Sequence, residues 1–143
     1  MKSSGRIQAG EADTVELRMA PHPENLALAR LALTGVGAVA GATDAAVAEL
    51  KLAVTEACTN AILHGYGSST GGELVVRYRV DTAALEVEVE DDGHGFDPED
   101  PAANGASEGQ GMGLMIIRAI TSDVHIESDG TGSRISFVRR LEV

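Results

Sequence analysis

The sequence predicts an α+β fold, a two-layer α/β sandwich with helices packed on one face of a sheet. Three observations carry this expectation. Leu85–Asp91 alternates strictly, with Leu85, Val87 and Val89 set against Glu86, Glu88 and Glu90, as a strand wetted on one side does. Ala45–His64 repeats apolar residues at helical spacing through Val47, Leu50, Val54, Cys58, Ala61 and Ile62. Signals of these two kinds recur along a chain of 143 residues as about five strands and three helices, enough for one domain.

In chain order, residues 1–12 are polar and glycine-containing and read as a flexible N-terminus, leaving 13–143 as a single domain. Thr14–Ala20 alternates Val15, Leu17 and Met19 with Glu16 and Arg18, which predicts a half-buried strand ended by Pro21 and Pro23. Glu24–Val39 is rich in Leu and Ala and predicts a helix loosened at its end by Gly35, Gly37 and Gly41. Thr43 or Asp44 offers an N-cap for the long helix Ala45–His64, and Gly65-Tyr66-Gly67 supplies a stop before a turn at Ser68–Gly72. Glu73–Val80 and Leu85–Asp91 read as strands joined by Asp81–Ala84. Asp92–Gly109 is a long loop of Gly, Pro, Asp, Asn and Ser, a length that is uncommon unless the loop is functional or mobile. Met112–Ser122 reads as a helix, and Val124–Ser128 and Ser133–Leu141 as strands around a turn at Asp129–Gly132.

Composition narrows the function classes. Acidic residues outnumber basic ones 22 to 11, a formal charge of -11, so non-specific binding to nucleic acid or to an anionic membrane is not expected. Trp is absent and aromatics are 3%, which disfavours base-stacking surfaces. The single cysteine, Cys58, excludes an intrachain disulfide and a multi-cysteine metal site. No apolar segment follows Met1-Lys2-Ser3-Ser4 and no run reaches a membrane-spanning length, so a cytoplasmic location is expected. Any anionic ligand has to be held by local chemistry against this field.

Three features could supply it. Glu56, Asn60 and His64 are spaced i, i+4, i+8, so each step turns about 40° and the three form one stripe. Such a stripe serves equally as a solvated helix face or as a hard-cation ligand (the Asn60 carbonyl) beside a base (Glu56). Asp91-Asp92-Gly93-His94-Gly95 closes an alternating strand; it is either ordinary turn chemistry or a carboxylate placed to accept from an exocyclic amine. Gly109-Gln110-Gly111-Met112-Gly113-Leu114 opens the last helix, where successive main-chain N–H groups and the helix dipole make an anion site without Lys or Arg. A flexible loop is the alternative. A dinucleotide fingerprint would need a strand directly before it, and no Walker A lysine is present.

Taken in order, Glu56-x-x-x-Asn60-Ala61-x-x-His64, Asp91-x-Gly93-x-Gly95 and Gly109-x-Gly111-x-Gly113-Leu114 resemble the N, G1 and G2 boxes of the GHKL (Bergerat-fold) ATPase superfamily, and Gly130-Thr131-Gly132 resembles its G3 element. The stretch Glu56–Tyr66 is most similar to the anti-sigma-factor serine/threonine protein kinase branch, and the likeness runs from about Val15 to Arg139. The resemblance implies the Bergerat fold, a mixed sheet covered on one face by helices. It implies ATP/ADP and Mg²⁺ as cofactors, with Asn60 as the metal ligand and Glu56 as the catalytic base. Asp91 would bind the adenine amino group, shaped by Gly93 and Gly95, with Thr131 in support. Gly109, Gly111, Gly113 and Leu114 would cover the phosphates beneath a lid at Asp92–Gly109. His64 either touches phosphate or caps the helix C-terminus.

The same resemblance implies partners: a sigma factor held in check, and a STAS-domain anti-sigma-factor antagonist that is phosphorylated, with Arg30 docking both or standing as a plain surface arginine. A homodimer, with no direct nucleic-acid or membrane contact, completes the expectation. One departure stands out. Phe96–Glu108 contains no Lys or Arg and carries Asp97, Glu99, Asp100 and Glu108. That acidic lid suits a nucleotide-binding module that switches partners without phosphorylating them, whereas Glu56 suits a kinase. No phospho-accepting histidine helix pair precedes the domain in this sequence, so the ATPase half of a histidine kinase is not expected.

Overall fold

Strand β1 (Asp13–Met19) leads through a single 3₁₀ turn at Pro23–Asn25 into α1 (Leu26–Ala40). A computed structural model of the chain describes residues 13–66, 72–93, 113–129 and 132–141, with the side chains of 64–66 and 129 excepted. Residues 1–12 therefore lie outside what is described. Gly41, at φ 75°, closes α1 in the left-handed conformation that glycine adopts without penalty, and its N–H turns back to the Ala38 and Gly37 carbonyls. Thr43 then caps α2 (Asp44–Asn60): its Oγ1 accepts from the Ala46 N–H at 3.1 Å.

The long helix expected to run to His64 is α-helical only to Asn60. Ala61–Tyr66 continues it as a π-helical turn, a wider winding that often occurs at functional sites. Strands β2 (Leu74–Val80) and β3 (Ala84–Asp91) follow, then α3 (Gly113–Ile120), β4 (Ser122–Asp129) and β5 (Gly132–Arg140). β4 begins earlier than its alternation indicates because Asp123 takes a φ of 51° and the register shifts between Ser122 and His125.

The five strands form one sheet in the order β1-β2-β3-β5-β4. All four pairings are antiparallel, so the mixed sheet implied by the family resemblance is corrected to an antiparallel one among the described residues. The helices lie against one face. Leu33, Leu50, Val54, Tyr78, Leu85, Val87, Leu114, Ile117 and Phe137 are fully buried between the layers. Each such large side chain contributes about 1.5–3 kcal/mol by leaving water. Tyr78 also ties the layers directly, its hydroxyl donating to the Ala29 carbonyl of α1 at 2.7 Å.

The other face of the sheet is covered by paired charges. Arg77 contacts Glu16, Glu88 and Glu90, each at 2.7 Å. Arg134 stands 3.6–3.7 Å from Glu88, Glu90 and Glu127. Arg77 holds the Glu16 carboxyl below its usual range by hydrogen bonding. Half-exposed pairs of this kind contribute little individually, about 0–1 kcal/mol, and leave this side of the sheet wet.

Candidate functional site

Two of the three sequence features meet where α2 and α3 touch. Glu56 is half-buried on α2, and Asn60, one turn later, is 3% exposed. The stripe is therefore not a solvated helix face at Asn60. The Asn60 amide is buried, and its Nδ2 has no hydrogen-bond partner among the described residues. Val54, Cys58 and Ala61 occupy the opposite side of the helix and pack into the core, as their spacing predicts. Burial pushes the Cys58 thiol up to about 12, which makes it inert.

Gly113 begins α3 and is buried directly against Glu56: a Cβ built on it would lie 3.0 Å from Glu56 Oε1 and 3.1 Å from Glu56 Cβ. Leu114, next in sequence, is fully buried and anchors the helix start in the core. The first turn of α3 thus stands beside the Glu56 carboxylate.

The third feature is Asp91, the last residue of β3 and 5% exposed. Its Oδ1 accepts from the Gly93 N–H at 2.9 Å, and its Oδ2 accepts a short hydrogen bond from Ser133 Oγ. Burial raises its carboxyl above the ordinary range; the Ser133 and Gly93 hydrogen bonds oppose that shift, and the neighbouring Asp92 charge adds to it. The β5 chain passes hard against this point. Gly132 has a φ of 150°, and a Cβ there would come 2.2 Å from the Asp91 carbonyl oxygen, so only glycine fits. A depression of about 210 Å³ behind this strand end, which includes Glu90, Glu127 and Arg134 in its lining, opens on the charged side of the sheet. Asp91, Gly132 and Ser133 line it as well.

Comparisons with known proteins identify the family. The family model described as "Histidine kinase-like ATPase domain" matches residues 19–139. A serine-protein kinase RsbW of Bacillus velezensis is 36% identical over 140 residues, covering 90% of this chain and 86% of that protein. The RsbW of Bacillus subtilis is 35% identical over 128 residues, covering 82% and 79%. The chain belongs to the histidine kinase-like ATPase family, in its serine-protein kinase branch. Among solved structures, the RsbU and RsbW domains of a Mycobacterium tuberculosis protein superpose with a TM-score of 0.68 at 21% identity, over 90% of this chain and 32% of that longer one, a likeness of fold. A blue-light activated histidine kinase of Erythrobacter litoralis superposes with a TM-score of 0.57 at 25% identity, over 70% of this chain and 32% of that one.

Within this kinase family the remaining expected residues fall as follows. Arg30 lies on α1, half-buried, with Nη1 donating to Thr55 Oγ1 of α2 at 3.3 Å. The backbone of His64 belongs to the π turn, while its side chain, all of Gly95, Gly109, Gly111 and Thr131, and residues 94–109 of the lid lie outside the described residues. Ser133 was missed by the sequence reading, which stopped at Gly130-Thr131-Gly132. The signal was available: Ser133 shares the inward parity of Ile135 and Phe137 on β5, and an inward serine opposite a strand-end Asp has little else to bond.

The chemistry of the donors fits Mg²⁺. The ion takes hard oxygen ligands, few of them from protein, and completes its shell with phosphate oxygens and water. Asn60 has a buried amide whose oxygen is a hard donor of the kind the ion takes, Glu56 lies one turn away on α2, and the start of α3 packs against Glu56. Among the described residues no group of three or more His, Cys, Asp or Glu side chains forms a self-sufficient metal cage. No helix there is long and apolar enough to cross a membrane.

Proposed function

We propose that this chain is an anti-sigma factor with serine/threonine kinase activity, transferring the γ-phosphoryl group of ATP to a Ser or Thr of a STAS-domain antagonist and sequestering a sigma factor when that antagonist is spent. The observation that carries the reading is the packing of the start of α3 on Glu56, one helical turn from the buried amide of Asn60. Glu56 is the base: its carboxylate takes the proton from the attacking hydroxyl as the oxygen–phosphorus bond forms and ADP departs. Asn60 holds Mg²⁺ through its amide oxygen, and the ion, when bound, offsets charge on the phosphate oxygens. Main-chain N–H groups of Gly109, Gly111, Gly113 and Leu114 cradle the phosphates. His64 contacts phosphate or caps the end of its helix. Asp91 accepts from the adenine amino group, with Gly93, Gly95 and Thr131 shaping that end of the pocket. Residues 13–143 form the kinase domain, Arg30 docks the protein partners, and the chain works as a cytoplasmic homodimer without contacting nucleic acid or membrane directly.

The test is incubation of the purified chain with Mg²⁺ and γ-labelled ATP in the presence of a cognate STAS protein. Label on a Ser or Thr of that protein is the expected outcome. The acidic lid sequence favours a second reading, a nucleotide-dependent binding module without transfer. ADP binding with no transfer at any Mg²⁺ concentration would select that reading and remove the kinase.

A further inference from the structure

Gly113 is glycine for a reason that its backbone does not explain. It is not among the residues with positive φ, so an alanine could adopt its conformation. What excludes a side chain is Glu56: an alanine Cβ would meet Oε1 at 3.0 Å, Cβ at 3.1 Å and the carbonyl oxygen at 3.4 Å. Neither helix can simply withdraw. α3 is pinned by Leu114 and Ile117 and α2 by Ala53 and Ala57, all fully buried. In a close-packed contact of this kind the most mobile atoms give way, and here those are the carboxylate oxygens of Glu56.

We propose that Gly113 is a positioning residue for the Glu56 carboxylate. The space left by its missing side chain seats the base beside the first turn of α3, so the distance from base to phosphate is fixed by one interhelical contact. This inference rests on the reading of Glu56 as the base. It assigns Gly113 a role in orienting that base, distinct from donating its main-chain N–H to phosphate.

The experiment is a cycle of G113A and E56D, assayed for phosphoryl transfer to the STAS protein. Misplacing a reacting group by a fraction of an ångström costs on the order of tenfold in rate. G113A is therefore expected to lower kcat about tenfold or more while the KM for ATP and the Kd for ADP change less than threefold. The E56D side chain is one methylene shorter and withdraws the carboxylate from the contact, so within E56D the same glycine substitution is expected to cost less than threefold. Equal losses in both backgrounds, or a raised KM with kcat unchanged, overturn the proposal and leave Gly113 as a phosphate-binding or purely structural residue. Stability keeps the test decisive if G113A folds poorly: E56A removes the 3.0 Å contact and keeps those with Cβ and the carbonyl oxygen, so G113A is expected to lower the Tm less in the E56A background than beside Glu56, and equal losses in both count against the contact. Full transfer by E56A would instead defeat the base assignment, and this inference with it, a result distinct from additive losses.

Discussion

Replacing Asp91 with asparagine exchanges one oxygen for an amino group at the adenine end of the site, and the structure allows its two consequences to be separated. A carboxylate offers about four lone-pair positions. Gly93 N–H occupies one on Oδ1, Ser133 Oγ–H one on Oδ2 and the Ser133 main-chain N–H a further one, which leaves room for one incoming amine. In D91N the amide oxygen keeps the Gly93 bond and the Ser133 hydroxyl rotates to accept from the new amino group. The Gly93 and Ser133 hydroxyl bonds survive, while the negative charge and half of the acceptor capacity are lost. A hydrogen bond to a charged group contributes about 1.5–3 kcal/mol, so ADP binding is expected to weaken about ten- to a hundredfold. Stability should move the other way. Burial raises the Asp91 carboxyl, so in the folded state its contribution is fully favourable below about pH 3.9 and is lost as pH rises through the raised value. Ionised Asp91 is thus a net cost at neutral pH. Titration calorimetry with ADP and GDP, alongside urea unfolding from pH 4 to 8, reads both effects. D91N should bind ADP weakly, lose its preference over GDP, and unfold at the same or higher urea concentration at pH 7, an advantage that fades toward pH 4. An ADP affinity unchanged within twofold, or weak binding accompanied by lost stability at pH 7, would refute the reasoning.

Three further outcomes are expected. N60A removes the hard oxygen beside Glu56, so the gain in ATP affinity on adding Mg²⁺ should shrink on the order of tenfold or more; titrations in Mg²⁺ and in EDTA check this, and an undiminished Mg²⁺ effect would exclude Asn60 as ligand. G132A places a Cβ against the Asp91 carbonyl at a φ that L-residues avoid, and should cost about 2–4 kcal/mol by urea unfolding; the same substitution at Gly35, where a Cβ meets nothing within 4 Å, should not destabilise. Y78F removes the second donor to the buried Ala29 carbonyl, which keeps its helical partner, for a loss of about 0.5–1.5 kcal/mol with ADP affinity retained.

Much of this was legible in the chain. Leu85–Asp91 and the apolar period of Ala45–Asn60 encode their own conformations, because a half-buried strand and a half-buried helix each impose a period on the sequence. The Thr43 cap and the placement of Val54, Cys58 and Ala61 followed from the same logic. The winding change at Ala61 did not, because α and π turns differ by less than one residue and Ala61–Tyr66 is too short to show a period. Strand partners were equally hidden: nothing local in β5 says that it lies between β3 and β4, and the resemblance pointed to a mixed sheet. At the site, residue types were readable and contacts were not. Gly113 looks like any glycine of a loop until Glu56 is found against it, and Ser133 is an unremarked serine until Asp91 faces it.

The charged face of the sheet has a consequence for how the strands find one another. Its outward residues carry one sign per strand over most of the sheet: Arg77 and Arg79 on β2, Glu86, Glu88 and Glu90 on β3, Arg134 and Arg140 on β5, Asp123 and Glu127 on β4. In the observed order these rows run positive, negative, positive, negative. Pairing β3 with β4, its next strand in sequence, would set acid beside acid, and β2 with β5 would set arginine beside arginine, both unfavourable on a shared face. Sliding β2 by two residues along β3 keeps arginine against glutamate. The stripes therefore encode which strand is the neighbour and are silent about alignment, which is left to the apolar residues on the opposite face.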